Sequence, residues 1–147
     1  MSVSFTWFFI QTLNPYLAVY EEVKDSKKAF HFNFHSVPDL PEALTAGRER
    51  IYLSHFYHKL AYNQHAITEI DIDHYAAEYS QPGAMRCGFN VYRAFDLDAK
   101  EVKEHLQKHG KSKVRCLVLN GDRGFASRDQ AVTMGSELFT HFEAKEV

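Results

Sequence analysis

The chain has 147 residues and a mass of 17.0 kDa, the size of one ordinary domain and enough to bury roughly 70% of the surface its unfolded form exposes. Hydrophobic residues make up 45% and charged residues 24%, with only seven Gly and four Pro, a balance that excludes disorder, collagen and low complexity and needs no disulfide or metal for folding. Seventeen basic against nineteen acidic residues leave a net charge of -2, so nothing draws the chain broadly to nucleic acid or to an anionic membrane surface.

The N-terminus carries a dense apolar patch, Phe5 to Ile10, broken by Gln11, Asn14 and Pro15. It is too short to span a membrane, which takes ~20 apolar residues, and it lacks the basic start and small-residue cleavage site of a signal peptide. With only Cys87 and Cys116 and no CxxC pair, a reducing, cytoplasmic location is expected. Charged residues Glu21 to Lys28 then lead to an aromatic run, Phe30-His-Phe-Asn-Phe-His35, whose strict alternation suggests extended or irregular backbone. Pro38 and Pro41 around Asp39 mark a turn and a helix start. From Glu42 the apolar spacing predicts one amphipathic helix, or two joined at Gly47.

Thr68 to Tyr79 returns to helical spacing, with Ile72, Tyr75, Ala76 and Tyr79 on one face, until Pro82-Gly83 stops it. Met85, Phe89, Tyr92 and Phe95 form a helical stripe through Gly83 to Phe95. Asp98 and Glu101 suggest a capping box opening a further helix that ends near Gly110. Val114 to Leu119 is a short β-branched and aliphatic strand ended by Asn120-Gly121-Asp122. Ser127 and Gln130 form a second capping-box pattern, and a helix over Ala131 to Phe142 is expected to close the chain. A buried parallel strand needs neighbours for its backbone groups, and Val3–Ile10 is the candidate neighbour within the sequence.

No G-x-S-x-G nucleophile elbow is present, and Ser136 falls inside the closing helix. Nine histidines include two pairs four residues apart, His31/His35 and His105/His109. Such spacing aligns two metal ligands only on a helix. The first pair reads as non-helical, the second suits the dipole of a lysine-rich helix end, and no HExxH or Cys/His framework accompanies either. No metal and no cofactor is expected. Gly121-Asp-Arg-Gly-Phe125 follows a strand and precedes a helix, where α/β proteins place functional groups. Asp122 there could orient a catalytic His or simply form the turn.

Taken together, Phe30 to His35, Leu40-Pro-Glu-Ala-Leu-Thr-Ala-Gly-Arg-Glu-Arg50, Tyr79-Ser-Gln-Pro-Gly-Ala-Met-Arg86 and Phe89-Asn-Val-Tyr-Arg-Ala94 resemble the cap domain of α/β-hydrolase-fold proteins of the epoxide hydrolase and haloacetate dehalogenase group. Val114 to Phe125 resembles the next core strand and its loop. The resemblance implies an α/β-hydrolase-like fragment, mostly helical, with a short strand-loop-helix unit at its C-terminus. Its parts would be an unmatched segment over residues 1–19, a cap over 20–110 and partial core over 111–147. In that family a core Asp attacks the substrate to form an ester, a His-acid pair hydrolyses it, and cap residues polarise the leaving oxygen or hold the halide. His31 stands at the first cap-donor position and Tyr92 at that of the ring-opening tyrosine, a chemistry suited to stabilising an alkoxide as the C–O bond breaks. Phe32 stands where the dehalogenases tend to have a halide-binding Trp, and Phe has no N–H to donate, which favours small apolar epoxides over halo-acids.

The sequence also departs from the family. No Asp or Glu lies among residues 1–19, no Gly-His turn follows Asp122, and Gly124 holds the usual acid position. A triad acts as a unit, so loss of its members removes most of the rate. The expectation is a truncated relative of epoxide hydrolases, inactive alone. The alternatives are a haloacetate dehalogenase-like remnant, a small His-rich metal binder, or a non-catalytic binding or dimerising module that associates through an exposed core edge.

Overall fold

The computed structural model describes residues 27–123 and 127–147. The apolar segment Val3–Ile10 and the Gly124-Phe125 end of the Asp122 loop lie outside the described residues. The chain divides into two compact units, one of Lys27–Ala94 and one that contains Phe95–Val147.

The first unit is helical. After a 3₁₀ turn at Lys27–Ala29, the aromatic run forms helix α1, Phe30–Ser36. This corrects the expectation of extended backbone. Alternation would have placed three phenylalanines on one face of a strand, whereas the helix buries His31 and His35, four residues apart, and leaves Asn33 outside. Helix α2, Leu40–Thr45, has Pro41 in its first turn, where the missing N–H costs nothing. Gly47, at φ 72°, then takes the left-handed conformation that admits glycine most readily, and α3 runs over Glu49–Leu60. Of the two arrangements open from the sequence, the pair of helices split at Gly47 is the one formed.

Helix α4, Glu69–Tyr79, is started by a capping box between Thr68 and Asp71 and buries Ile72 and Ala76. Helix α5, Ala84–Arg93, begins after Gly83 at φ 83° and buries Phe89. Helix α1 packs on α5, α3 on α4, and α2 and α4 also meet α5. Helix α5 is thus the central support of this unit.

The second unit starts with helix α6, Phe95–His109. The stripe expected through Phe95 therefore ends at Arg93, and Asp98 lies within α6 rather than capping it. The end of α6 falls at Gly110, φ 74°, as the spacing suggested. Strand β1 is Cys116–Asn120. Helix α7, Arg128–Leu138, opens with the expected Ser127–Gln130 capping box but stops short of Phe142. Strand β2, Phe142–Glu146, follows, so the chain closes on a strand and not on a helix. The two strands are parallel, with Cys116 opposite Phe142 and Asn120 opposite Glu146, and α7 is the crossover between them. The described neighbour of β1 is therefore the C-terminal strand, which satisfies its backbone groups along one edge.

Cys116, Val118, Ala131 and Met134 form the core of this unit, with Leu138, Phe139, Phe142 and Ala144 packed against them. Helix α7 comes so close to β2 that a Cβ on Gly135 would lie 2.5 Å from Cδ2 of Phe142. The Phe142 ring has no flexible end to swing away, so the site takes glycine alone. Gly135→Ala should lower stability by ~1–3 kcal/mol, the usual cost of overpacking a core, read as a loss of denaturation midpoint with an unchanged denaturant slope.

Candidate active site

The site of interest lies within the helical unit. The one-turn spacing of His31 and His35 on α1 puts both imidazoles on the same face, with ring centroids 5.6 Å apart. Helix α5 presents Phe89 and Tyr92 to that face, three residues apart. His35 stands in a T-shaped contact with Tyr92, centroids 4.4 Å apart, and lies 4.7 Å from Phe89. His31 meets the same Tyr92 ring edge-on at 5.7 Å. From α3, the Tyr52 hydroxyl hydrogen-bonds His35 Nε2, and Phe56 packs on both histidines.

A cavity of about 370 Å³ opens beside this cluster, walled by His35, Tyr52, Phe56, Tyr79, Phe89 and Tyr92 among others. His31 is not part of that wall; it sits behind it, against the Tyr92 ring. Both histidines are buried, and Nδ1 of each is buried with no hydrogen-bond partner. Burial pulls the His35 pKa down to about 4, helped by the neighbouring His31 and Arg93. Burial, with His55 nearby, also lowers that of His31. Tyr92 and Tyr52 are pushed the other way, again chiefly by burial. At neutral pH the cluster therefore holds neutral imidazoles and protonated phenols. A protonated phenol in a largely apolar cavity is a hydrogen-bond donor, suited to an oxygen that gains negative charge.

The helix carrying Tyr92 is anchored at the adjacent residue. Arg93 donates to both carboxylate oxygens of Glu42 on α2, at 2.8 and 3.0 Å, and to the Val37 carbonyl at 2.7 Å. The forked geometry fixes orientation as well as charge. The Arg93 hydrogen bonds are the largest cause of the fall in Glu42 pKa to about 2. Two turns earlier Arg86 reaches Asp39 at 2.7 Å, a more exposed contact that contributes less. Glu42→Gln should cost about 2 kcal/mol, in the range for hydrogen bonds to charged groups, whereas Asp39→Asn should cost under about 1 kcal/mol; urea unfolding of the two variants checks the order.

Of the residues singled out in the sequence, His31 and Tyr92 come together. Asp122 belongs to the second unit, where its side chain is largely exposed and 3.7 Å from Arg123 Nε, and its backbone N–H donates to the Val147 carbonyl. Ser136 donates to the Thr133 carbonyl within α7, an ordinary helical arrangement with no nucleophile elbow. His105 and His109 stack at the exposed end of α6, centroids 4.7 Å apart. Among the described residues no three His, Cys, Asp or Glu side chains converge to hold a metal ion, and no helix is long and apolar enough to cross a membrane.

Sequence reasoning weighed His35 only as a metal ligand beside His31 and did not reach Tyr52. The four-residue step from His31 becomes meaningful for His35 once the aromatic run is helical, and no spacing in the sequence pointed to Tyr52. The His35 shift also sets a pH dependence. Between pH 6.5 and about 4 the unfolded chain binds a proton that the folded chain resists. The contribution of His35 to folding is complete above that window, falls as pH drops through it and then levels off, for a loss on the order of 3 kcal/mol. The stability of the wild-type protein should therefore fall more steeply from pH 6.5 to 5 than that of His35→Phe, as thermal melts at each pH will show.

No protein-family model matches the sequence, and no curated protein matches it closely enough to count. Solved structures do match. The chain is 30% identical to Cfl2 from Burkholderia cenocepacia, with a TM-score of 0.69, covering 80% of this chain and 39% of that one. The Cif epoxide hydrolase from Acinetobacter nosocomialis matches at 18% identity and a TM-score of 0.83, over 96% of this chain and 45% of its own. The epoxide hydrolase CorEH matches at 23% identity and a TM-score of 0.69, over 80% and 41%. The chain thus spans about two-fifths of the length of these structures. Its helical unit and short parallel strand pair have the fold of part of an epoxide hydrolase-like α/β-hydrolase.

Proposed function

We propose that the helical unit is the oxygen-polarising half of an epoxide hydrolase-like site, with Tyr92 as the donor that lines the cavity and His31 packed behind its ring. The observation that carries this reading is the packing of His31 and His35 against one protonated tyrosine in the wall of an aromatic cavity. An epoxide oxygen becomes an alkoxide as its C–O bond breaks. A fixed phenol O–H aimed at that oxygen stabilises the developing charge without reorganisation. His31, outside the cavity wall, supports that phenol by packing edge-on against its ring.

The cavity is at the small end of ligand sites, which run ~300–1,000 Å³, and its aromatic walls suit a compact apolar epoxide. A halo-acid is the weaker candidate, because Phe32, 5.7 Å from Tyr92, offers no N–H to a halide. Hydrolysis also needs a nucleophile and a water-activating His. Residues 1–19 contain no carboxylate, and no Gly-His turn follows Asp122, so the chain by itself binds an epoxide without opening it.

The purified protein should bind an aryl epoxide such as styrene oxide and form no diol. Tyr92→Phe should weaken binding roughly fivefold to tenfold, the worth of one hydrogen bond. Calorimetric titration with product analysis checks both, and diol formation that disappears in Tyr92→Phe would show instead that the chain is a complete catalyst.

A further inference from the structure

We propose that His35 and Tyr52 form a positioning pair that fixes the ring of Tyr92, a second histidine-tyrosine couple beside the packed pair of His31 and Tyr92. The proposal takes the role of Tyr92 from the reading above, but the positioning itself is a property of the unliganded protein. His35 touches all the parts that matter. Its ring is edge-on to Tyr92 at 4.4 Å, tilted against Phe89 at 4.7 Å, and one turn from His31 at 5.6 Å. A T-shaped imidazole at this distance favours one orientation of the Tyr92 ring over its other rotamers.

An imidazole can do this only if it is itself fixed. His35 has χ1 and χ2 freedom, and its Nδ1 finds no partner. Among the described residues, the Tyr52 hydroxyl on Nε2 is the polar contact that sets the ring plane. Tyr52 comes from α3, so the bond ties α3 to α1, and the His35 ring carries that tie on to α5 by packing against Tyr92 and Phe89. It also fits the cluster's neutrality: a phenol and an imidazole satisfy each other with no net charge beside Tyr92, whose own proton is the one the chemistry needs. His35 in this role acts through Tyr92 and is a positioning residue, not a catalytic one.

The test is fluorine NMR of protein labelled with 3-fluorotyrosine, with the Tyr92 resonance assigned from its absence in Tyr92→Phe. Tyr52→Phe keeps the ring and removes only the hydroxyl. It should move and broaden the Tyr92 resonance, and His35→Phe should do the same. The double variant should change it no more than the larger single effect, since both break one bond. His35→Gln, which keeps a polar partner for Tyr52, should restore part of the wild-type signal.

Phe34→Leu, at a ring that touches both His35 and Tyr52 from outside the cavity wall, supplies a control for general loosening. A Tyr92 signal unmoved in a folded Tyr52→Phe would overturn the proposal, as would equal changes in Tyr52→Phe and Phe34→Leu at matched stability. If His35→Phe fails to fold, the Tyr52→Phe arm decides alone. Because no ligand is present, failure of styrene oxide to bind would count against the proposed function and leave this result standing.

Discussion

Everything in the candidate site rests on one register: His31 and His35 are one helical turn apart and pack against α5. If Phe30–Ser36 were extended, successive residues would face opposite ways, and the two histidines, though on one face, would be spread over about 13 Å of strand. As a helix the segment draws them together and aims both at Tyr92. The cost of burying two imidazoles is met by keeping them neutral, which the lowered pKa values express. The same burial pushes the Tyr92 phenol further above its ordinary value, so the packing that builds the helical unit also disfavours loss of the donor's proton.

The anchor for this arrangement is a charge pair rather than more apolar surface. Arg93 follows Tyr92 directly and locks α5 to α2 through Glu42 and to the end of α1 through the Val37 carbonyl. A helix held only by the aromatic cluster could rotate or slide, since aromatic contacts tolerate small shifts. A forked guanidinium-carboxylate contact does not. The resulting division of labour is clear: ion pairs fix the helix, aromatic rings shape the cavity, and the His35–Tyr52 bond supplies the polar tie between α1 and α3.

Much of the helical unit was legible in the sequence because its boundaries are written in local chemistry. Pro41 starts α2, and Gly47 and Gly83 take left-handed turns; in the second unit the Ser127–Gln130 capping box opens α7 as its pattern indicated, whereas the box between Thr68 and Asp71 went unread behind the helical spacing that follows it. The aromatic run defeated the same reasoning. Its period of two is a strand pattern, and only the tertiary contact with α5 selects the helix. That misreading hid the helical face that His31 and His35 share. In the second unit the C-terminal strand was absorbed into a helix because Phe142-Glu-Ala-Lys-Glu146 is short, charged and poor in β-branched residues. It is a strand because β1 offers it a ladder of hydrogen bonds and α7 needs Phe142 beneath Gly135. The candidate donors His31 and Tyr92 were reached by resemblance, and their proximity is a fact of three-dimensional packing that no spacing in the sequence encodes.

The central claim is that the Tyr92 phenol is held ready to meet an epoxide oxygen. The most direct measurement is a crystal structure of the protein soaked with styrene oxide, which the chain should bind unopened. The account places the epoxide oxygen at hydrogen-bond distance, about 2.6–3.0 Å, from the Tyr92 hydroxyl, with the aryl group in the aromatic cavity. A ligand bound in that cavity with its oxygen turned away from Tyr92, or bound only outside it, would contradict the claim.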